Sequence, residues 1–271
     1  MRSYLAIKRA LNIVLICTPL FVYSEGLTEI PESISRVIHY TYGKVIIVQG
    51  SKPGYSITGK GDAHQAVSIS FKDETLSIEK KWLTHLAEND SIVILVTLKS
   101  VSYLSVSGSG SIETEGIISG RDIFLSNNGS GKLVLCELKC ENLDVSLSGS
   151  GLITLKKIVN SRINLRVNGS GQLSIRGSTS LKSEIRLSSS GKIDIGGAVP
   201  VLNCVINGSG DLNALNYNTK TVTINVSGSG SSRINTETLI AKISGSGNVY
   251  YAGMPSIELM KSANGRVAKI E

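Results

Sequence analysis

Aromatic side chains are scarce in this chain, at 5% of residues with a single Trp, and only five prolines accompany 28 glycines. That balance suits many short strands and tight turns better than packed helices, so the first reading is all-β. Histidine is held to His39, His64 and His85, all in the first third of the chain. A Ser–His pair therefore cannot be assembled from the downstream residues alone. Lys and Arg never gather into a run interleaved with aromatics, which argues for solvated surface over a nucleic-acid site. The apolar run at the N-terminus is too short for a comfortable membrane span.

That N-terminus reads MRSYLAIKRALNIVLICTPLFVYSEG. Arg2, Lys8 and Arg9 form a positive leader, Ala10 to Tyr23 an apolar stretch, and Val22 and Ser24 stand at −3 and −1 of a cleavage after Ser24. Residues 1–24 are expected to be a secretory signal peptide. A lipidated Cys17 is disfavoured, because Val14-Leu15-Ile16 lacks the small residue usual before it. Without the three leader charges the net charge falls from +7 to +4. Export would leave Cys136, Cys140 and Cys204, an odd number that excludes full internal pairing. Cys136 and Cys140 can bridge only if the chain turns a corner between them. With no second pair at metal-ligand spacing, neither a metal nor a cofactor is expected.

What the chain does have is a repeat. The stretches SVSGSGSI, SLSGSGLI, VNGSGQLSI, VINGSGDL, NVSGSGSS and KISGSGNV share a glycine-rich step. Its last glycine falls at Gly110, Gly131, Gly151, Gly171, Gly191, Gly210, Gly230 and Gly247, with Gly265 as a ninth. The intervals are 21, 20, 20, 20, 19, 20, 17 and 18 residues. A flexible linker has no reason to keep such time.

Aligned on that glycine, apolar residues recur two positions after it (Ile112, Leu133, Ile153, Leu173, Ile193, Leu212, Val249) and four before it (Val106, Leu147, Val167, Leu187, Ile206, Val226, Ile243). These are period-two strands interrupted at one place. A unit this short cannot bury its own apolar face, whereas stacked copies share a core and a hydrogen-bond ladder. The architecture expected is a parallel β-helix, or solenoid, right-handed by the general bias of parallel crossovers.

If the alternation runs through the glycine step, its glycines take the inward parity: Gly108 and Gly110, Gly129 and Gly131, Gly149 and Gly151, Gly169 and Gly171, Gly208 and Gly210, Gly228 and Gly230, Gly245 and Gly247. This marks a corner where the wall bends too tightly for a Cβ, or where φ must be positive. The outward parity holds two polar columns. Three residues before the marker stand Ser107, Asn128, Ser148, Asn168, Ser188, Asn207, Ser227, Ser244 and Ser262. One residue before it stand Ser109, Ser130, Ser150, Ser170, Ser190, Ser209, Ser229, Ser246 and Asn264. Asn128, Ser130, Ser148, Ser150, Asn168, Ser170, Ser188, Ser190, Asn207, Ser209, Ser227 and Ser229 are the candidate ligand-binding ladder. In the plainer alternative they hydrogen-bond one another and finish the corner.

Residues 25–100 lack the glycine marker but keep strand character in SRVIHYTY, KVIIVQG, YSITGKG, AVSISF, TLSIEKKW and SIVILVTL. They are expected to cap one end of the solenoid, with residues 101–271 forming the regular repeat. A separate small domain and a run of irregular first rungs both fit this pattern. Trp82 reads as cap packing rather than a ligand platform.

The glycine steps do not make phosphate loops: Gly131-Lys132 and Gly191-Lys192 run into Leu133 and Ile193, where a P-loop needs Ser or Thr. Asp122, Asp144, Asp194 and Asp211 occupy different offsets in the repeat, so no stacked carboxylate pair is indicated. The chain is read as noncatalytic, with no catalytic residues assigned.

The repeats SVSGSGSIETEGI, SLSGSGLITL and INVSGSGSS, the lead-in KVIIVQG four residues before YSITGKGD, and the closing KISGSGNVYYAGMPSIE resemble the bacterial auto-transporter adhesin family with a head GIN domain. The likeness covers roughly residues 33–271. It implies an exported envelope protein with a right-handed β-helix, in the periplasm, outer membrane or cell surface of a bacterium. It supplies no catalytic or ligand-binding residues. Ser189-Ser190-Gly191 and Ala263-Asn264-Gly265 depart from the pattern and question local corner geometry only. The function expected is a binding module for a repetitive partner such as a glycan, a cell-surface polymer or another copy of the chain, or else a periplasmic scaffold.

Overall fold

The computed structural model describes residues 27–59, 63–81, 92–261 and 264–270. The expected signal peptide, Trp82 and Ser262 lie outside them. Apart from one helical turn, α1 (Ala63–Ala66), every regular element is a strand.

The N-terminal strands are β1 (Thr28–Glu29), β2 (Arg36–His39), β3 (Lys44–Gln49), β4 (Gly54–Thr58), β5 (Val67–Lys72), β6 (Thr75–Lys80) and β7 (Val93–Leu98). The repeat follows as β8 (Tyr103–Val106), β9 (Ser111–Glu115), β10 (Ile117–Ser119), β11 (Asp122–Asn127), β12 (Lys132–Lys139), β13 (Asn142–Leu147), β14 (Leu152–Val159), β15 (Arg162–Val167), β16 (Gln172–Thr179) and β17 (Lys182–Leu187). The last strands are β18 (Lys192–Ile206), β19 (Asp211–Val226), β20 (Ser231–Ile243), β21 (Asn248–Ala252), β22 (Ser256–Lys261) and β23 (Arg266–Lys269).

The repeat closes a β-solenoid in which each turn gives one strand to each of two parallel ladders. The first ladder stacks β8, β11, β13, β15 and β17, then the C-terminal halves of β18, β19 and β20, then β22. The second stacks β9, β12, β14 and β16, then the N-terminal halves of the same three long strands, then β21 and β23. Two corners join the ladders. One is the glycine step; the other lies around residues 140, 160 and 180 and becomes continuous strand in β18 to β20.

Register makes the core out of identical positions. Val145, Leu165, Ile185, Cys204, Ile224 and Ala241 are stacked partners on successive turns, and all are buried. Each large aliphatic in such a column contributes about 1.5–3 kcal/mol by leaving water. One contiguous core runs from Ile30 to Val249.

The first turns are stacked out of chain order. β2 pairs with β6 on one side and β8 on the other, and β3 lies likewise between β7 and β9. The chain thus lays its second turn outside its first and then returns to continue the stack. β4 and β5 pair antiparallel with β7 and β6. Residues 27–98 therefore combine irregular first turns with antiparallel strands over the end.

Candidate functional site

The glycine corner owes its shape to stacking. Its backbone ladder continues from turn to turn: Gly151 N–H donates to Gly129 O at 3.2 Å and Gly171 N–H to Gly149 O at 3.2 Å. A Cβ on Gly149 would collide with Gly129 O, and one on Gly169 with Gly149 O. None of the corner glycines has positive φ; that conformation is confined to Gly43, Gly116, Gly197 and Gly253 among the described glycines. Of the two reasons considered for glycine, close approach is the operative one. The excluded direction runs along the solenoid axis toward the preceding turn as well as toward the core. Accordingly the second glycine of each step is buried while the first is only half-buried.

Ser189, which replaces a first glycine, is accommodated by hydrogen bonding. Its hydroxyl donates to Gly169 O at 2.7 Å and accepts from Ser190 N–H at 2.6 Å.

All twelve candidate ladder residues are exposed along this corner. Some also bond to the next turn: Ser150 and Ser170 hydroxyls lie 3.2 Å apart, Ser229 and Ser246 3.1 Å apart, and Ser227 donates to Asn207 Oδ1 at 2.8 Å. The arrangement presents hydroxyls and amides at the strand spacing of about 4.8 Å. It can meet a ligand's hydroxyls at many equivalent points.

One inward position departs from the aliphatic pattern. Asn127 is stacked with Val106, which is itself stacked with His39. Asn127 Nδ2 donates to Gly131 O at 2.9 Å and its Oδ1 accepts from Gly129 N–H at 3.1 Å, so it fastens the corner from inside. His39 is buried with Nε2 3.2 Å from Gly43 O. Burial pushes its pKa down, against a smaller upward push from the Gly43 carbonyl.

A second surface was not read from the repeat. On the outer face of the first ladder, Asp122, Phe124, Asn142, Asp144, Arg162, Asn164, Arg166 and Glu184 line a groove of about 420 Å³. Asn142 Nδ2 donates to Asp122 Oδ1 at 2.6 Å, and Asn164 Nδ2 and Arg166 donate to Asp144 Oδ1 at 2.7 and 3.0 Å. A hydrogen bond from Lys182 holds the Glu184 carboxyl below the usual range. Phe124 is an exposed ring in this groove; its ladder partner on the preceding turn is Tyr103, over whose ring the Arg36 guanidinium sits at 4.4 Å. The signal available in the sequence was that Phe124, Asp144, Asn164 and Glu184 share one outward offset.

Cys136, Cys140 and Cys204 are free thiols. Burial pushes Cys204 up to about 12, and burial together with Asp122 does the same to Cys140. No group of three or more His, Cys, Asp or Glu with metal-holding geometry occurs among the described residues.

The fold and corner define a class, the repetitive β-solenoids whose outer wall carries a regular polar array. The chain belongs to the family described as "Putative auto-transporter adhesin, head GIN domain", whose profile matches residues 35–156 and 146–255. Solved structures share the fold. One, described as a "putative adhesin" from Parabacteroides distasonis, is 18% identical, with 90% of this chain and 95% of that one covered and a TM-score of 0.70. A "putative adhesin" from Parabacteroides merdae is 19% identical over 91% and 95% of the two chains, with a TM-score of 0.67. A "putative lipid binding protein" from Parabacteroides distasonis is 21% identical over 91% and 96%, with a TM-score of 0.65. A comparison with curated proteins returns no match.

Proposed function

We propose that this chain is an exported, noncatalytic binding module of the bacterial cell envelope that presents its glycine corner to a repetitive ligand such as a surface glycan. The observation that carries this reading is the exposure of the Ser and Asn ladders on turn after turn, at a spacing set by the backbone. Family membership supports an adhesive role, and the N-terminal segment supports export. A noncatalytic role is supported by membership of the adhesin family.

The test is a glycan and whole-cell binding screen beside a variant in which Ser148, Ser150, Asn168 and Ser170 are replaced by Ala. Loss of binding with an unchanged fold is the expected result. Full binding by the folded variant would remove the ladder as the site. A periplasmic scaffold without external ligand is the second reading, favoured by the bonds that Ser150, Ser229 and Ser227 make to neighbouring turns. Finding no ligand in the screen would select it.

A further inference from the structure

The two ends of the solenoid are finished differently. At the N-terminal end the outermost turn, β6 and β7, is covered by antiparallel β5 and β4, and its inward residues Leu76, Ile78, Ile94 and Val96 are buried. At the other end β22 pairs only with β20, and β23 only with β21, among the described residues. Register stacks Ile257 on Leu239 and Leu259 on Ala241. Leu239 and Ala241 are 0% and 1% exposed, whereas Ile257 and Leu259 are 40% and 45% exposed. The same inward positions, one turn apart, differ because no further turn among the described residues covers the last. Met254 and Met260 are exposed beside them. An open strand edge and an uncovered core thus coincide, a combination that invites pairing with another chain.

We propose that this end is an interface and that its occupant is the same end of a second copy of the chain, in a closed two-fold dimer. The occupant has to bring unpaired strand groups to β22 and β23 together with an aliphatic cross-section two ladders wide. Among the described surfaces of this chain, only the C-terminal end has both. At the N-terminal end β5 pairs only with β6 among the described residues, but the apolar section beneath is already buried, so that end offers no core for the last turn to cover; head-to-tail growth is disfavoured and association closes at two. A two-fold axis sets β22 antiparallel to its mate, with inward residues facing the same side on both strands. Ile257 and Leu259 then regain the burial of Leu239 and Ala241. Lys261, stacked on buried Ile243, ends the row of apolar inward positions with a charge. This inference is independent of what the glycine corner binds.

Sedimentation equilibrium of the purified chain from low to high micromolar concentration should give twice the monomer mass. An Ile257→Lys, Leu259→Lys double variant should return the monomer mass with an unchanged far-ultraviolet circular dichroism spectrum. Hydrogen exchange on the unaltered chain provides a reading that needs no variant: β22 amides should gain protection as concentration rises, and β5 amides should not. A monomer at every concentration, a folded double variant that keeps the dimer mass, or growth into open-ended oligomers would overturn the proposal.

Discussion

Ser183 and Tyr217 meet inside the solenoid with 2.6 Å between their hydroxyls, although Ser183 belongs to the first ladder and Tyr217 to the second. Each occupies a place the repeat reserves for something else. Ser183 is stacked between Ile163 and Leu202, while Tyr217 shares a column with Ser178 and Gly197. The small residues leave room for the ring, and Ser178, Ser180 and Asn160 extend the buried network, with Ser178 and Ser180 hydroxyls 2.9 Å apart. Both partners are needed, since a buried hydroxyl without one loses its desolvation compensation.

Tyr217→Phe should therefore cost about 1–2 kcal/mol, and Ser183→Leu about 1–3 kcal/mol from overpacking against the ring. A double-mutant cycle of Ser183→Ala and Tyr217→Phe, followed by urea unfolding, should show coupling of at least about 0.5 kcal/mol. Strict additivity would mean that the two hydroxyls do not stabilise the fold through each other.

His39 should make the fold acid-sensitive. Its folded pKa is lowered by burial, so the unfolded chain binds the proton more readily. Stability is then present above the unfolded value near 6.5 and declines as pH falls from there toward the folded pKa, by up to about 1.4 kcal/mol per pH unit. His39→Val, which copies its stacked neighbour Val106, should flatten the melting temperature between pH 7 and 5 relative to the unaltered chain. Parallel pH profiles for the two proteins would show that His39 does not contribute.

The corner glycines should be intolerant of any side chain. Gly149→Ala and Gly169→Val drive a carbon into the carbonyl of the preceding turn, and losses of at least about 1–3 kcal/mol are expected from that overpacking. Gly116 and Gly253 provide the comparison, because a Cβ there meets nothing and only positive φ opposes it, at about 1–2 kcal/mol. An unchanged melting temperature for Gly169→Val would contradict the stacking account.

Thiol labelling should follow burial. At mildly alkaline pH a maleimide should reach Cys136 first and Cys140 more slowly, with Cys204 reacting only after denaturation. Asp122→Asn removes the charge that helps raise the Cys140 pKa and should accelerate its labelling. Rapid labelling of Cys204 in the native protein would show that the stack opens locally.

Much of this molecule can be read from its residues in order. The period-two pattern around Val145, Leu165 and Ile185, and its recurrence every twenty or so residues, dictates parallel stacked strands, because each turn has an apolar face only its neighbours can cover. Alternation across the pleat also decides that Asn168 and Ser170 face outward. These are local properties, repeated.

Tertiary structure decided what depends on which turn lies beside which. It placed β6 and β7 outside β2 and β3, a reversal of chain order that no periodicity encodes. It joined Ser183 to Tyr217 across 34 residues and gathered Phe124, Asp144 and Asn164 into one groove. It also showed that the corner glycines answer to the carbonyl of the preceding turn rather than to their own φ. Sequence pattern establishes the direction each side chain takes from its own strand; only the assembled stack sets the distance to the next one, and that distance determines which atoms touch.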